Sequence, residues 1–199
     1  MSDAVLTSDA LNFDTILAAF YQHGWVWLPN FLNHDLNAAL LHEAQHQANL
    51  TPAGIGRQSA HQLNPQIRRD ATQWFDGQSA AQQQYLALMA QLQLIFNRRC
   101  FLGLFDFECH FARYNKGDYY QKHVDAFSGR SNRVLTTVLY LNNVPSGGEL
   151  VIYDENEVEL TRVLPQAGLL VTFESERFPH QVLPAEFERF SIAGWFRKD

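Results

Sequence analysis

Residues 113–125 have the sequence RYNKGDYYQKHVD, and this segment ends in a histidine and a carboxylate two positions apart. Side chains at i and i+2 of a β-strand point to the same face, with a backbone separation of about 6–7 Å. His123 and Asp125 are therefore expected to converge on one point, which suits two ligands of a single metal ion. Two ligands do not complete a site, so another ligand must come from elsewhere in the chain.

Short strand-like segments surround this pair and follow one another after Gly103. They are predicted at 105–114, 119–124, 133–142, 149–153, 158–164, 168–174, 180–183 and 187–197. Short strands at roughly ten-residue spacing are typical of a β-sandwich or barrel. Earlier in the chain, periodicity and capping residues predict helices at 12–23, 33–49 and 79–99, a strand at 25–28 and an extended segment at 67–74. The sequence predicts a mostly β fold with N-terminal helices and an internal metal site.

Length and composition fit one globular domain. The chain has 199 residues, of which 46% are hydrophobic and 18% charged. We expect a single domain over 1–199, with a helical lead-in and support at 1–104 and a β core at 105–199. No run of about 18 apolar residues occurs, and the first residues lack the basic and apolar regions of a signal peptide.

Charge and cysteine content restrict the expected partners and compartment. The net charge of −6 disfavours binding dominated by nucleic-acid phosphates. Two cysteines, Cys100 and Cys109, are too few for a disulfide scaffold and are expected to be free thiols. We therefore expect a cytoplasmic protein without a nucleic-acid or membrane partner, and the sequence leaves the oligomeric state open.

His180 is the strongest candidate for the third metal ligand. It lies in Phe178-Pro179-His180-Gln181-Val182, directly after an apolar strand. Two histidines and one carboxylate form the facial triad of non-haem Fe(II) oxygenases, which leaves coordination positions open for substrate and O2. We expect His123, Asp125 and His180 to form both the metal site and the catalytic centre.

A competing metal pattern lies on the second predicted helix. Residues 42–46 match the HExxH pattern of zinc proteases. At about 100° per residue, His42 and His46 lie on the side of the helix away from Leu36 and Leu40. We therefore favour an exposed helix surface here and retain a zinc hydrolase as an alternative.

Arg189 lies on a strand whose alternate residues share one face, namely Arg189, Ser191, Ala193 and Trp195. If that face points into a barrel, the guanidinium needs a partner, because an unpaired buried charge is very costly. The partner is either a protein carboxylate or the far carboxylate of a dicarboxylic cosubstrate, which arginine binds bidentately.

Together these residues resemble the 2-oxoglutarate/Fe(II)-dependent dioxygenases, and more closely their prolyl 4-hydroxylase branch, especially the oxygen-sensing protein prolyl hydroxylases. The similar segments follow the same order through two thirds of the chain: 67–70 with Trp74, 113–125, 138–142, 147–150, His180 with Val182 and Pro184, and 189–195. The resemblance implies a double-stranded β-helix, a jelly-roll or cupin-like barrel supported by packed helices, with iron inside its open end.

The resemblance also implies site residues by position. It implies that Fe(II) binds to His123, Asp125 and His180, and that the distal carboxylate of 2-oxoglutarate binds to Arg189. The other expected cosubstrate residues are Tyr140, Tyr114, Tyr120 and Ser191. The hydrogen bond from Tyr140 depends on the strand register, because it is lost if Leu139 is the inward residue. Ala193 stands where the closest branch often has a hydroxyl residue.

The implied reaction couples decarboxylation of 2-oxoglutarate to succinate and CO2 with hydroxylation of a substrate C–H bond. It uses Fe(II) and O2, and L-ascorbate is a candidate additional cofactor. The closest resemblance implies a prolyl residue in a protein or peptide as the substrate. Candidate substrate residues are Arg68, Asp70 and Trp195, and we expect the loop 51–66 to close over the peptide with help from Arg68 and Asp70.

Several alternatives stay open. One is a 2-oxoglutarate oxygenase that acts on a small molecule or another residue type, and another is a non-catalytic metal-binding module on the same fold. A nucleic-acid demethylase of this superfamily is disfavoured, because that branch has a second arginine where this chain has Trp195. The carboxylate of Asp125 indicates hydroxylation rather than halogenation, for which that ligand position is emptied.

Overall fold

Two antiparallel sheets supported by three helices make up the described part of the chain. The structure is a computed structural model that describes residues 13–46, 48–54, 64–126 and 131–199. Its helices are α1 (Phe13–His23), α2 (His34–His46) and α3 (Ala80–Cys100). Its strands are β1 (Trp25–Leu28), β2 (Thr51–Pro52), β3 (Ala71–Trp74), β4 (Asp106–Tyr114), β5 (Tyr120–His123), β6 (Arg133–Tyr140), β7 (Leu150–Tyr153), β8 (Glu159–Val163), β9 (Leu170–Glu174), β10 (His180–Val182) and β11 (Arg189–Arg197). None of these helices has the length and apolar character needed to span a membrane.

The elements form where hydrophobic periodicity predicts them. The eight strands predicted after Gly103 correspond to β4 through β11, and the three predicted helices correspond to α1 through α3. The extended segment predicted at 67–74 contains β3 in its second half only. The strand β2 is not predicted, because its two residues show no alternating pattern. It lies at the start of the predicted loop 51–66, of which residues 55–63 lie outside the described residues.

Both sheets contribute to a barrel-like arrangement with one shared interior. The major sheet has the order β1-β9-β6-β11-β4-β3-β2, and the minor sheet has the order β5-β10-β7-β8. Buried residues of the two sheets form one hydrophobic cluster, which includes Tyr140 and Phe173 from the major sheet and Ile152 and Val182 from the minor sheet. This packing confirms the predicted mostly β fold of the double-stranded β-helix type.

Alternation along the central strand β11 separates a helix-facing core from a cavity between the sheets. Phe190, Ile192 and Phe196 pack into the large hydrophobic cluster that contains the helices. The alternate residues line the cavity, as the sequence predicts: Arg189, Ser191, Ala193 and Trp195. The first 104 residues supply β1, β2 and β3 to the major sheet as well as the helices.

The HExxH segment serves helix packing. The Glu43 carboxylate is buried and accepts hydrogen bonds from the Ser79 hydroxyl at 2.6 Å and from the Gln82 amide. Ser79 in turn caps α3 by accepting a hydrogen bond from the Gln82 backbone N–H. His42 and His46 are exposed, which confirms the predicted helix surface. Because Glu43 is fully engaged, it is not placed to act as the base of a zinc hydrolase.

The turn between β6 and β7 closely approaches the segment that leads into β11. Gly147 has a φ of +75°, and a Cβ atom there would lie 2.5 Å from the backbone nitrogen of Glu186. A Cβ atom at Gly148 would lie 3.2 Å from Cδ of Arg189. The glycine pair therefore allows the turn to pack beside Arg189 without a steric clash.

We expect Gly147→Ala to lower the free energy of unfolding by about 2–5 kcal/mol. About 1–2 kcal/mol comes from the left-handed backbone and the rest from overpacking against Glu186. The matched control is Gly117→Ala, because Gly117 has a φ of +88° with nothing within 4 Å of the added Cβ. Urea denaturation of both variants measures the difference, and equal losses would contradict the steric explanation.

Candidate active site

Two hydrogen-bonded strands bring the predicted histidines together. In the antiparallel pair of β5 and β10, His123 and His180 are direct partners, and their ring centroids lie 4.3 Å apart. Asp125 follows in a bend after β5 has ended at His123. The prediction that both residues of the HxD pair lie on one strand is therefore wrong at Asp125. The bend nevertheless returns the carboxylate to the two rings.

The three side chains form a compact set of potential metal ligands. Oδ1 of Asp125 lies 3.4 Å from Nε2 of His123, and Oδ2 lies 3.5 Å from Nε2 of His180. One ligand atom from each residue falls within 4.8 Å of the others. Two imidazoles and one carboxylate are the donor set of non-haem Fe(II) sites. The residues present thus fit an Fe(II) ion.

Hydrogen bonds orient both histidine rings towards this point. Nδ1 of His123 lies 2.8 Å from the carbonyl oxygen of Gln121, and Nδ1 of His180 lies 3.1 Å from that of Phe178. A carbonyl oxygen only accepts, so Nδ1 is the protonated nitrogen in each neutral ring. Each Nε2 then presents its lone pair to a metal.

Two donors fix the Asp125 carboxylate through a single oxygen. Its Oδ2 accepts from the indole Nε1–H of Trp195 at 2.8 Å and from the Thr136 hydroxyl at 2.8 Å. Because Thr136 donates its proton to Asp125, the Ser175 hydroxyl must donate to Thr136 at 2.9 Å. These contacts leave Oδ1 as the less engaged oxygen. The sequence does not indicate Thr136 on β6 or Ser175 in the turn after β9, because isolated hydroxyl residues carry no recognisable pattern.

The protonation states favour metal binding at neutral pH. Burial, together with the nearby His123 ring, lowers the pKa of His180 to about 4. Burial alone would raise the pKa of Asp125, but attraction to His180 and His123 and the hydrogen bond from Trp195 hold that pKa well below its usual value. A neutral imidazole and an ionised carboxylate are the forms that coordinate metals.

Arg189 is a buried cation without an anionic partner among the described residues. Its side chain is 1% exposed, and its Nε and Nη1 atoms have no hydrogen-bond partner in that part of the chain. The guanidinium carbon lies 4.6 Å from the ring centroid of Tyr114 and 5.0 Å from that of Tyr140. Aromatic faces stabilise a cation partially, but they do not satisfy its N–H donors. The site therefore fits a carboxylate-bearing ligand such as 2-oxoglutarate.

Two phenols lie beside Arg189, and a serine hydroxyl lines the same cavity. Tyr140 points into the interior beside Arg189, whereas Leu139 packs into the helix-facing core, which settles the register that the sequence leaves open. The Tyr140 hydroxyl is buried without a partner among the described residues. Burial raises the pKa of Tyr140 and of Tyr114, so both phenols stay protonated and can donate. Ser191 lines the same cavity.

The cavity extends outward from these groups over a volume of about 890 Å³. Trp74, His110 and Trp195 form its outer wall, with ring centroids 5.1–6.0 Å apart. The guanidinium carbon of Arg133 lies 3.5 Å from the centroid of the Trp195 ring, and its Nε and Nη2 atoms donate to the Glu108 carboxylate. The sequence singles out Trp195, but it does not indicate that His110 and Arg133 belong to the same wall.

Arg68 and Asp70, predicted as substrate residues, form an ion pair beside Tyr120. Nε and Nη2 of Arg68 donate to the two carboxylate oxygens of Asp70 at 2.5 and 2.8 Å. Burial lowers the pKa of Arg68, but its hydrogen bonds and charge attraction to Asp70 outweigh burial and raise it overall. Both residues line the cavity, although the Asp70 side chain is completely buried. The contact of either residue with substrate stays a prediction.

Comparisons with known proteins agree with this geometry. A model of the 2OG-Fe(II) oxygenase superfamily matches residues 109–197. The fold is similar to that of a Pseudomonas putida prolyl-4-hydroxylase, with 42% sequence identity, a TM-score of 0.83, and coverage of 93% of this chain and 98% of that chain. It is also similar to a Trichoplax adhaerens prolyl hydroxylase in complex with a hypoxia inducible factor oxygen degradation domain peptide fragment. That match has 24% identity, a TM-score of 0.81, and coverage of 93% and 88%.

Among curated proteins, the chain is 26% identical to the hypoxia-inducible factor prolyl hydroxylase of Caenorhabditis elegans and to Egl nine homolog 1 of Rattus norvegicus. The matches cover 91% and 94% of this chain but only 27% and 59% of those proteins. Because the bacterial enzyme matches over nearly its whole length, the chain belongs to the 2OG-Fe(II) oxygenase superfamily and to its prolyl hydroxylase-like branch.

Proposed function

We propose that this chain is an Fe(II)- and 2-oxoglutarate-dependent dioxygenase that hydroxylates a prolyl residue in a protein or peptide and releases succinate and CO2. One observation carries the proposal. A single cavity holds both the group of His123, Asp125 and His180 and the buried Arg189 with two unpartnered nitrogens. This reaction requires a metal with open coordination positions and an anchor for a dicarboxylate.

In this proposal, the iron is held by Nε2 of both histidines and by Oδ1 of Asp125. The bound iron supplies the chemistry of O2-dependent oxidation. The chain keeps His180 neutral by burial and keeps Asp125 ionised and oriented through Trp195 and Thr136. The ligands are thus positioned before the metal binds, which lowers the reorganisation that binding requires.

Arg189 binds the distal carboxylate of 2-oxoglutarate with its free Nε and Nη1 donors, and the neutral Tyr140 phenol adds a hydrogen bond. The proposal places Tyr114, Tyr120 and Ser191 beside the cosubstrate. Burial strengthens these contacts, because water does not compete for the donors. Nearby aromatic faces support the guanidinium while it orients the ligand.

The substrate residue binds in the outer cavity against Trp195 and Trp74. A prolyl ring is apolar and rigid, so it packs against an indole ring at low entropic cost. The P. putida relative is named a prolyl-4-hydroxylase, and the T. adhaerens relative was solved with a peptide fragment. These names support a prolyl residue within a peptide. They favour it over a small molecule as the substrate of this chain.

The cytoplasmic location also belongs to the proposal. Its support is that Cys100 and Cys109 are both free thiols, as predicted. Free thiols persist in reducing compartments.

With Fe(II), 2-oxoglutarate and O2, we expect proline-containing peptides to gain one oxygen atom and to increase succinate release. Mass spectrometry of the peptides, with free amino acids assayed in parallel, separates the prolyl substrate from the small-molecule alternative. His123→Ala is expected to abolish product, because it removes a metal ligand. Activity without iron, or full activity of His123→Ala, would refute the mechanism. Metal binding with no succinate under any condition would indicate the non-catalytic module instead.

Arg189→Met should reduce succinate formation by about 100-fold or more, equivalent to about 2.7 kcal/mol, because charge-assisted hydrogen bonds to the cosubstrate are lost. Isothermal titration with 2-oxoglutarate and Mn(II) separates loss of cosubstrate binding from loss of metal. The control is Arg162→Met, which alters an exposed arginine paired with Glu159 on β8. Unchanged affinity of Arg189→Met for 2-oxoglutarate would contradict the anchor role.

Trp74→Ala should raise the KM for a prolyl peptide about 10-fold, because aromatic anchors at binding sites contribute about 1–4 kcal/mol. Iron affinity should be retained, since Trp74 does not contact the three metal ligands. Steady-state kinetics and Mn(II) titration provide both values. Trp27→Ala is the matched control, because Trp27 is similarly exposed but lies on β1, away from the cavity. A KM equal to that of the control would argue against a substrate role.

A further inference from the structure

Four side chains form a continuous stack that ends on a candidate metal ligand. The Tyr120 ring lies 3.6 Å from the His123 ring between centroids, with an interplanar angle of 17°. The guanidinium carbon of Arg68 lies over the other partner of this pair, 4.6 Å from the Tyr120 ring centroid. The buried Asp70 carboxylate then holds Arg68 through two hydrogen bonds. The order is Asp70, Arg68, Tyr120, His123.

Backbone hydrogen bonds join the two chain segments that carry this stack. Arg68 and Tyr120 form an isolated antiparallel bridge. The Gln121 N–H donates to the Ile67 carbonyl at 2.9 Å, and the Arg69 N–H donates to the Tyr119 carbonyl at 3.1 Å. These bonds attach the segment before β3 to β5, the strand that carries His123. The stack is therefore a property of two paired backbone segments as well as of side-chain packing.

The bonding of Arg68 argues for a role inside the protein. Two of its five N–H donors bind Asp70 through Nε and Nη2, and one face of the guanidinium lies on Tyr120, so contacts within the protein fix its position. Asp70 has no exposed side-chain surface with which to meet a substrate. We therefore expect Arg68 and Asp70 to exert their effect through Tyr120.

We propose that Asp70, Arg68 and Tyr120 are positioning residues that hold the His123 ring in its metal-binding orientation. The hydrogen bond from Nδ1 to Gln121 fixes one edge of the ring, and the Tyr120 face prevents rotation about the bond to the ring. A ring with fewer accessible orientations loses less entropy when a metal binds, so affinity rises. Arg68 holds Tyr120 against His123 by a cation–π contact that is itself locked by Asp70. This inference rests on the proposed role of His123 as a ligand.

The decisive experiment measures the dissociation constant of Mn(II) by electron paramagnetic resonance for the 199-residue chain, with and without 2-oxoglutarate. Tyr120→Leu removes the stacking ring and should weaken Mn(II) binding about 3- to 10-fold, the range expected for an aromatic pair. Tyr120→Phe keeps the ring and should stay within about 2-fold of the wild-type affinity. This pair of variants separates stacking from any contact made by the phenol.

Tyr119→Leu is the matched control. Tyr119 is the adjacent residue in the chain and carries its own cation–π partner, Arg69, with 5.0 Å between the guanidinium carbon and the ring centroid. Its hydroxyl binds the carbonyls of Pro65 and Gln66, and no ring contact joins it to His123 within the described residues. Its Mn(II) affinity should equal that of the wild type. Equal weakening in Tyr119→Leu and Tyr120→Leu would overturn the proposal, as would wild-type affinity in Tyr120→Leu.

The double variant Arg68→Met/Asp70→Asn tests the other half of the stack, and it decides the question if Tyr120→Leu fails to fold. Changing both residues avoids a lone buried carboxylate. We expect Mn(II) binding about 3-fold weaker than wild type, and unchanged affinity would remove the ion pair from the proposal.

His123→Ala separates failure of the ligand assignment from failure of the positioning role. If it leaves Mn(II) binding intact, the ligand assignment fails. If His123→Ala weakens Mn(II) binding and the variants of Asp70, Arg68 and Tyr120 do not, the positioning role is refuted and the ligand assignment stands.

Discussion

The buried guanidinium of Arg189 is the constraint on which the interior depends. A cation in an apolar interior costs several kcal/mol unless charges or donors around it compensate. Here the protein supplies two aromatic faces, from Tyr114 and Tyr140, and leaves the N–H donors Nε and Nη1 unpartnered in the described chain. An anion bound beside Arg189 would satisfy these donors and offset part of the cost of burying the charge. The cavity is thus built for a charged ligand.

The candidate metal group differs from Arg189, because hydrogen bonds within the protein already orient its three side chains. Each histidine donates one N–H to a backbone carbonyl, and the carboxylate accepts from an indole and a hydroxyl. Folding pays the entropy of fixing these side chains in advance, so that a metal meets an ordered set of ligands. At the proposed anion site the ligand would complete the hydrogen bonding, whereas at the candidate metal site the protein itself orients the side chains.

The sequence predicts those parts of the site that depend on neighbouring residues, and it misses parts that depend on contacts between distant segments. Alternation on β11 placed Arg189, Ser191, Ala193 and Trp195 on one face, because a two-residue period is local. The pairing of His123 with His180 is not local. His180 is singled out because it follows an apolar strand and completes a set of two histidines and a carboxylate, and the resemblance to a family adds to that prediction. Asp125 was expected on the strand but lies in a bend, since nothing in HxD specifies where pairing stops. Thr136 and Ser175 were missed, because contacts across sheets depend on register.

One strand connects all three parts of the cavity. From Arg189 to Trp195, six residue steps at about 3.3 Å each span about 20 Å along one face of β11. The inner end therefore carries Arg189, the proposed anion anchor, while Trp195 at the other end both lines the cavity and donates to Asp125. A slip of one residue would turn every one of these side chains towards the helices. Nine paired positions with β4 and seven with β6 oppose such a slip. The spacing between the proposed cosubstrate anchor, the candidate metal group and the proposed substrate compartment is thus a consequence of strand register, which the flanking strands hold on both sides.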